Sequence, residues 1–351
     1  RINITMANFQ INTITGKDNL RGTSFVGVTT VSSTGSMRIP SGPTENRGGR
    51  GRGVVGGTYP APSKFINYIE IATTGNATAF GDLANVHGWS AATASSTRCV
   101  WSGGYTTGGG LTSKIDAVTI SSGGGGYNFG DLKTTVKQMA GFSDSTRGII
   151  PSGRTPGSGQ TTQIQYITIA TAGDSNDFGD TTAARGGGKG TASPTRGVYA
   201  LGGYWAATDG TPGNAANNSI DYVTIQSKGD AKDFGDMSVG YGYNGAAAAS
   251  TTRGILAGGY TAPANTNAID YLTIATTGNA ADFGDLTVAR HGGAGMSNKT
   301  RAAFTGMWDN AADDTIDYVT IATTGNAADF GNLTTTGFYM DGGSDSHGGL
   351  G

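Results

Sequence analysis

The sequence predicts an all-β fold, a β-propeller in which six similar sheets form a ring. The tripeptide Phe-Gly-Asp, which becomes Phe-Gly-Asn in the last copy, occurs six times in the 351 residues. The copies begin at Phe80, Phe129, Phe178, Phe234, Phe283 and Phe330. Successive copies are 49, 49, 56, 49 and 47 residues apart, a period that fits one four-stranded propeller blade. The 62 Gly and 9 Pro of the chain argue against long helices.

A strand of fixed length is expected before each Phe. An alternating segment begins with an Ile 14 residues upstream of every copy, at Ile66, Ile115, Ile164, Ile220, Ile269 and Ile316. The spacing does not vary, as expected where a slip of one residue would turn every side chain to the opposite face of a sheet. The Phe residues and the Tyr residues near each Ile are predicted to be core. The Asp after each Phe-Gly is predicted to be a turn residue that caps backbone amides.

Each unit also opens with a strand that starts at an Arg. These residues are Arg98, Arg147, Arg196, Arg253 and Arg301, with Arg50 in the same place in the first unit. They are expected to pair with Asp carboxylates or to donate hydrogen bonds to carbonyl groups between blades. The length variation of the repeat lies between this strand and the following Ile, and a segment of variable length is typical of a surface loop.

The units resemble degenerate kelch repeats of the galactose-oxidase type. Gly-Gly stands at Gly56, Gly103, Gly202 and Gly258, and an Arg such as Arg185 or Arg290 follows the Phe that replaces the kelch Trp. The resemblance covers residues 46–351 and implies a kelch-like propeller. The segment from Ser344 repeats the start of a unit, so it is expected to pair with the first blade and close the ring. Six blades are predicted, with seven as the alternative if residues 1–45 contribute strands.

Residues 1–45 lack the repeat and are predicted to form an extended arm that attaches the protein to a partner. The segment Met37–Arg47 resembles a short joint found in bacteriophage tail-fibre and other virion proteins ahead of a distal domain. The repeat text, Ile-Asp-Tyr-Val-Thr-Ile-Ala-Thr-Thr-Gly-Asn-Ala-Ala-Asp-Phe-Gly, is similar to repeats in predicted structural proteins of marine phages, especially cyanophages. Both resemblances imply a virion protein.

Composition and residue types exclude several functions. Charged residues are 14% of the chain and the net charge is −2, so nucleic acid is not an expected partner. No apolar run reaches the roughly 20 residues of a membrane span. The only cysteine, Cys99, is predicted to be a buried thiol. His87, His291 and His347 lie in different units, so the copper chemistry of galactose oxidase is not carried over, and no catalytic residue, metal or cofactor is predicted.

Variable loops are the expected binding surface. The longest insertion places aromatic and amide side chains on one loop, at Tyr204, Trp205, Asp209 and Asn214, and the equivalent loops of other blades begin at Tyr59, Tyr105, Tyr260 and Trp308. Aromatic faces stack on sugar rings and amides bind hydroxyl groups, so these residues are candidates for a carbohydrate-binding rim. The alternative is that they pack beneath their own loops or against a neighbouring subunit.

Together these features predict a non-enzymatic bacteriophage virion protein. It is expected to be a tail-fibre or receptor-binding protein that recognises a host surface glycan, with residues 1–45 docked on other virion proteins and the propeller displayed outward. A homo-oligomer is expected. The alternatives are a capsid decoration or head-fibre protein, a propeller enzyme that acts on polysaccharide, and a kelch-type interaction module.

Overall fold

The computed structural model describes residues 51–58, 61, 63–206, 213–215, 217–241, 245–261, 263–309 and 311–350. Six four-stranded antiparallel sheets form a ring, so the fold is a six-bladed β-propeller. The predicted arm, residues 1–45, lies outside the described residues. Within them no helix is long and apolar enough to cross a membrane.

The strands follow the repeat from blade to blade. Blade 1 contains β1 (Arg52–Gly56), β2 (Ser63–Glu70) and β3 (Thr78–His87). Blade 2 contains β4 (Ala91–Ala94), β5 (Arg98–Ser102), β6 (Lys114–Thr119) and β7 (Tyr127–Asp131). Blade 3 contains β8 (Phe142–Ser143), β9 (Arg147–Pro151), β10 (Gln163–Thr168) and β11 (Asn176–Asp180), with a 3₁₀ turn at Pro156–Ser158. In blades 2 and 3 the first of the four strands lies innermost and the last outermost.

Blade 4 contains β12 (Lys189–Ala192), β13 (Arg196–Ala200), β16 (Asn217–Thr224) and β17 (Lys232–Tyr241), and its insertion forms a hairpin of β14 (Tyr204–Ala206) and β15 (Gly213–Ala215). Blade 5 contains β18 (Ala246–Ala249), β19 (Arg253–Tyr260), β20 (Asn265–Thr273) and β21 (Ala281–Asp285). Blade 6 contains β22 (Ala294–Ser297), β23 (Arg301–Thr305), β24 (Asp313–Thr320) and β25 (Ala328–Gly337). The chain ends with β26 (Asp341–Ser344) and a 3₁₀ turn at Gly348–Leu350.

Closure of the ring is as predicted. β26 pairs antiparallel with β1 and is the innermost strand of blade 1, so one blade contains both ends of the repeat region. Blade 6 also contacts blade 1 directly, because the backbone N–H of Gly75 donates to Phe330 O at 2.7 Å. The ring therefore closes with six blades, and a seventh has no place between them.

The core is divided into six clusters, each between two neighbouring blades. Phe80 and Ile66 of blade 1, for example, pack with Trp101 and Val118 of blade 2. The Phe of every unit is buried, as predicted. Each fully buried side chain of this size contributes about 1.5–3 kcal/mol, and because every cluster is shared, no blade buries its own faces alone.

A backbone contact joins each outer strand to the next blade. The N–H of a glycine in the turn between the third and fourth strands donates to the carbonyl oxygen of the Phe in the preceding blade, and this bond recurs at all six interfaces at 2.7–3.0 Å. The donor and acceptor residues are Gly75 and Phe330, Gly124 and Phe80, Gly173 and Phe129, Gly229 and Phe178, Gly278 and Phe234, and Gly325 and Phe283. A second bond follows two residues later, as from Ala280 N to Asp236 O at 2.8 Å. The invariant spacing from Ile to Phe keeps these partners in register.

The Asp of Phe-Gly-Asp does not sit in a turn, which corrects the sequence prediction. Asp131, Asp180 and Asp285 each end an outer strand, and Asp82 and Asp236 lie within one. The Asp side chain was predicted to cap backbone amides, but here the backbone N–H of the Asp is itself capped. It donates a hydrogen bond to a side-chain oxygen of the next blade. Asp174 Oδ1 accepts from Asp131 N at 2.9 Å, and Asn279 Oδ1 accepts from Asp236 N at 3.0 Å. Pairing with the neighbouring blade holds this tripeptide extended.

The Arg series joins blades through carbonyl groups, the second of the two predicted roles. Arg98 Nη1 donates to Ile169 O at 3.0 Å, and Arg196 Nη1 donates to Ile274 O at 3.0 Å, in each case in the next blade. Five of these guanidinium groups also lie 4.3–4.7 Å from the ring centroid of a Tyr in their own blade. In blade 1 this position is filled by Arg52, whose Nη1 donates to Ile120 O at 3.1 Å, whereas Arg50, which the sequence prediction named for this place, lies outside the described residues.

Substitution of Gly235 tests the contact between blades. Its φ is +146°, and a Cβ there would lie 2.5 Å from the carbonyl oxygen of Gly278 in the next blade. Gly278 has a similar φ of +155° but open space around its Cβ position. We expect Gly235→Ala to lower the free energy of unfolding by about 1–2 kcal/mol more than Gly278→Ala, because both share the backbone strain and only Gly235 adds the clash. Urea unfolding of the two variants measures this difference, and equal losses would contradict it.

Candidate functional site

One face of the propeller carries two sets of loops. The chain passes from the outermost strand of one blade to the innermost strand of the next on this face, and the loops between second and third strands end on it as well. We call it the loop face. The opposite face carries the short turns that join the first strand to the second and the third to the fourth. The turns between third and fourth strands are those whose glycine N–H donates to the Phe carbonyl oxygen of the preceding blade. Side chains of the loop face are therefore less constrained by blade packing.

Aromatic side chains from four blades meet on the loop face, and we call this group the aromatic mouth. Its members are Trp89, Tyr105, Tyr260, His291, Trp308, Phe338 and Tyr339. Tyr339 is at the centre, with its ring centroid 4.4 Å from that of Trp89, 5.0 Å from Phe338 and 5.6 Å from His291. Phe338 and Tyr339 are buried, whereas the other five are half-buried and keep part of their surface in solvent.

A chain of hydrogen bonds orients the rings on one side of the mouth. Asn265 Nδ2 donates to Trp308 O at 3.1 Å, and Asn265 Oδ1 lies 2.7 Å from His291 Nδ1. His291 Nε2 lies 2.9 Å from the hydroxyl of Tyr339. Burial lowers the pKa of His291 to about 4, so the ring is neutral at pH 7. Neutral His291 donates from Nδ1 to Asn265 and accepts at Nε2 from Tyr339, which fixes both rings.

Two aromatic residues of the mouth adopt a left-handed backbone conformation. The residue two positions before the innermost strand has φ of +56° at Trp89, +53° at Tyr339, +76° at Gly187 and +79° at Gly292, and Gln138, four positions before the shorter β8, has φ of +57°. The fold demands this conformation at an equivalent place in each of these blades. Glycine adopts it without cost, whereas a residue with a Cβ pays about 1–2 kcal/mol. Trp89 and Tyr339 therefore occupy positions where a glycine would relieve backbone strain.

A cation lies beside the mouth. Lys137 Nζ is 4.1 Å from the ring centroid of Tyr105 and 6.0 Å from that of Trp89, and it donates to the Tyr105 hydroxyl. The backbone of Lys137 pairs with Arg154 in both directions, at 3.0 and 2.8 Å. The ammonium group is held against two aromatic faces by a residue whose own backbone is fixed.

An ion pair crosses the central channel below the mouth. Lys189 begins the innermost strand of blade 4 and Asp341 that of blade 1, and these blades are opposite in a ring of six. Lys189 Nζ donates to Asp341 Oδ1, with both side chains buried. Burial raises the pKa of Asp341 to about 6, although Lys189 acts against that rise. The innermost strands enclose a cavity of about 60 Å³, which is room for a few water molecules.

The C-terminal turn covers the far end of the channel. His347 Nε2 lies 2.9 Å from Ala94 O. A Cβ on Gly348 would lie 2.2 Å from Ser250 O, and one on Gly349 would lie 1.8 Å from Ser143 O. The turn therefore sits directly against inner-strand ends from several blades. Access to the channel is consequently limited on this side.

Other ionised groups on the loop face act between elements of the fold. Arg290 Nη2 is 2.7 Å from Asp317, and Arg185 Nη2 is 3.0 Å from Asp221, with all four side chains buried. In blade 2 the corresponding acid is Asp116: burial favours a higher pKa, but hydrogen bonds from His87 and Asn85 outweigh it and hold the pKa below its usual value. In the part of the chain that the structure describes, no group of three or more His, Cys, Asp or Glu side chains is placed to hold a metal ion.

The sequence-predicted rim residues fall into three groups. The structure brings Tyr105, Tyr260 and Trp308 into the aromatic mouth. Tyr204, Trp205 and Asn214 lie on the hairpin of β14 and β15, where Trp205 pairs with Asn214, and only the backbone of this hairpin is described. Tyr59 and Asp209 lie outside the described residues. Cys99 is fully buried, as predicted.

Four members of the mouth are not among the residues predicted from the sequence: Trp89, His291, Phe338 and Tyr339. All of them lie between Phe-Gly-Asp or Phe-Gly-Asn and the next innermost strand, and not in the variable loops from which the binding residues were predicted. A comparison of equivalent positions could have found them. The eighth and ninth residues after the Phe are aromatic in some units, as at Phe338 and Tyr339, and glycine in another, at Gly186 and Gly187.

Comparison with known protein families and with curated proteins finds no match to this chain. The propeller fold hosts many unrelated functions, so function has to be argued from the site.

The neutral state of His291 makes stability depend on pH. The unfolded chain protonates His near pH 6.5, whereas folded His291 does so at about 4. The neutral His291 ring therefore contributes fully to the unfolding free energy above pH 6.5, and this contribution is lost as the pH falls toward 4. Between pH 7 and 4 we expect the native protein to lose up to about 3 kcal/mol more unfolding free energy than His291→Gln. His347 is unchanged in both proteins, so parallel curves in urea titrations would contradict the assignment.

Proposed function

We propose that this protein is a non-enzymatic attachment protein of a bacteriophage particle that binds a host surface carbohydrate through the aromatic mouth. The observation that carries the proposal is the placement of Trp89 and Tyr339 at positions with φ of +56° and +53°. Residues with strained backbone conformations cluster at active sites and ligand-binding sites, where the surrounding structure holds them in place.

The repeat provides an internal control for this argument. Blades 4 and 6 have Gly187 and Gly292 at the equivalent positions, so the fold itself is satisfied by glycine. The two large aromatic side chains are also neighbours, with ring centroids 4.4 Å apart. The half-buried ring of Trp89 therefore packs on the buried ring of Tyr339, and the two strained residues belong to one site at the entrance of the channel.

The chemistry of the mouth suits a sugar. Half-buried aromatic rings offer apolar faces to the C–H groups of a pyranose, and Trp and Tyr supply contact area at low conformational cost. Asn265 and the rings of His291 and Tyr339 place hydrogen-bonding groups next to these faces. A surface that combines flat apolar faces with fixed polar groups distinguishes a carbohydrate from a purely apolar ligand.

The virion role is supported by the sequence. The repeat is similar to repeats in predicted structural proteins of marine phages, and the joint at Met37–Arg47 resembles one in tail-fibre proteins. In this proposal the protein is a homo-oligomer on the particle surface, residues 1–45 dock on other virion proteins, and the propeller faces outward. A tail-fibre position is favoured because a glycan-binding face has to meet the host.

Replacement of Trp89 by glycine separates binding from folding. Trp89→Gly removes an aromatic face and relieves backbone strain, so we expect at least tenfold weaker binding to a host-envelope polysaccharide preparation, while the unfolding free energy changes by less than about 2 kcal/mol. Isothermal titration and urea unfolding measure the two quantities. The matched control is Gln138→Gly, which alters the same backbone position in blade 3 at a side chain that is only 3% exposed. Equal binding by both variants and the native protein would contradict the proposal.

Location on the particle is tested by immunogold electron microscopy of phage from the source lysate, with antibody raised against residues 46–351. We expect gold at the tips of tail appendages. Label over the head would indicate a capsid decoration or head-fibre protein instead. Particles without label would overturn the virion assignment. If the purified protein released sugars from polysaccharide, the proposal of a non-enzymatic attachment protein would be wrong and the protein would be an enzyme.

A further inference from the structure

Lys137 lies against aromatic rings, whereas three buried basic side chains of the loop face pair with an acid. Arg185, Arg290 and Lys189 each form a salt bridge with an Asp. Lys137 forms no salt bridge with a carboxylate of the described residues, and its ammonium group donates to the Tyr105 hydroxyl and lies near the rings of Tyr105 and Trp89. Its side chain is half-buried, so a positive charge is held partly out of water without an acidic partner.

We propose that the carbohydrate bound at the aromatic mouth is anionic and that Lys137 binds its negative group. The inference rests on the proposed function, because it names the class of sugar that the same site takes. A pyranose ring stacked on Tyr105 or Trp89 places a ring substituent beside the ammonium group, which lies 4.1 Å from the centroid of Tyr105. The anion replaces the water that Lys137 loses when the ligand covers the mouth.

Hydrogen bonds of both the main chain and the side chain fix the position of Lys137. Backbone hydrogen bonds with Arg154 in both directions fix its main chain, and the Tyr105 hydroxyl accepts one of the three ammonium N–H bonds. The remaining donors can serve a ligand. Stacking against aromatic faces restricts the side chain, so less conformational entropy is lost on binding.

The attraction is local and does not come from the protein as a whole. The net charge of the chain is −2, which repels a polyanion at long range. Preference for an anionic sugar therefore has to arise at the site. An ammonium group is a point charge that does not require the bidentate geometry of a carboxylate, so a uronic-acid carboxylate and a sulfate ester share the chemistry that Lys137 recognises.

The test measures binding of the full-length protein to two pairs of polymers by isothermal titration. Polygalacturonate is compared with its carboxyl-reduced form, and dextran sulfate with unmodified dextran. We expect at least one charged polymer to bind about tenfold more tightly than its neutral partner, the order expected for one charge-assisted hydrogen bond. The pair that shows the preference identifies the anionic group.

Variants at two lysines of one loop assign the preference. Lys137→Gln is expected to remove the tenfold preference, measured as the ratio of charged to neutral affinity in the same variant, and Lys137→Arg is expected to retain it. Lys133→Gln removes the same charge from an exposed side chain in the same loop and is expected to behave as the native protein.

Each outcome decides between the claims. Tight binding of neutral and charged polymers alike would overturn the anionic preference and leave carbohydrate binding intact. Loss of the preference in Lys133→Gln as well as in Lys137→Gln would assign it to general charge and overturn the role of Lys137. Failure of all four polymers to bind would contradict carbohydrate binding together with the inference that rests on it.

Discussion

The structure depends on the contact between the glycine of Phe-Gly-Asp and the turn of the next blade. At all six interfaces a Cβ on this glycine would meet a glycine carbonyl group of that turn within 2.5 Å, as at Gly130, Gly179 and Gly331. The close approach lets two backbone hydrogen bonds form on either side of the glycine. Each of these bonds contributes about 1 kcal/mol, but their larger effect is to fix the distance and angle between neighbouring sheets. The ring closes only if the rotations between neighbouring sheets together complete a full turn.

The same constraint explains why the two faces differ. The turns that make the contact lie on one face, where the Arg series adds bonds to carbonyl groups of the next blade. Side chains on this face have little conformational freedom, and the Phe-Gly pair and the opening Arg recur in every unit there. On the loop face the common features are a left-handed residue before the innermost strand, found in the five blades where this place is described, and a buried polar side chain in the third strand, such as Asp221 or Asp317. Side chains there differ from blade to blade, so a single asymmetric site, with aromatic groups from four blades and one lysine, fits on a scaffold of six similar units.

Much of this architecture was predictable because it recurs. Constraints that act in every unit leave the same pattern in all six copies of the repeat. The sequence alone therefore predicts the period, the invariant distance from Ile to Phe and the return of the last segment to blade 1. The role of Asp236 in an extended strand was not predictable, because its capping partner Asn279 lies in another blade. The mouth was only partly predictable. Tyr105, Tyr260 and Trp308 are predictable because each begins a variable loop. Trp89 and Tyr339 are not, because only ring closure brings a residue near position 89 next to one near position 339.

A structure of the protein soaked with a polysaccharide that it binds tests the central claim most directly. The account predicts sugar density stacked on the rings of Trp89 or Tyr105, next to Lys137, with the hydrogen bonds among Asn265, His291 and Tyr339 intact. Sugar bound on the face that carries the short turns, or on the outer strands with the aromatic mouth empty, would contradict it.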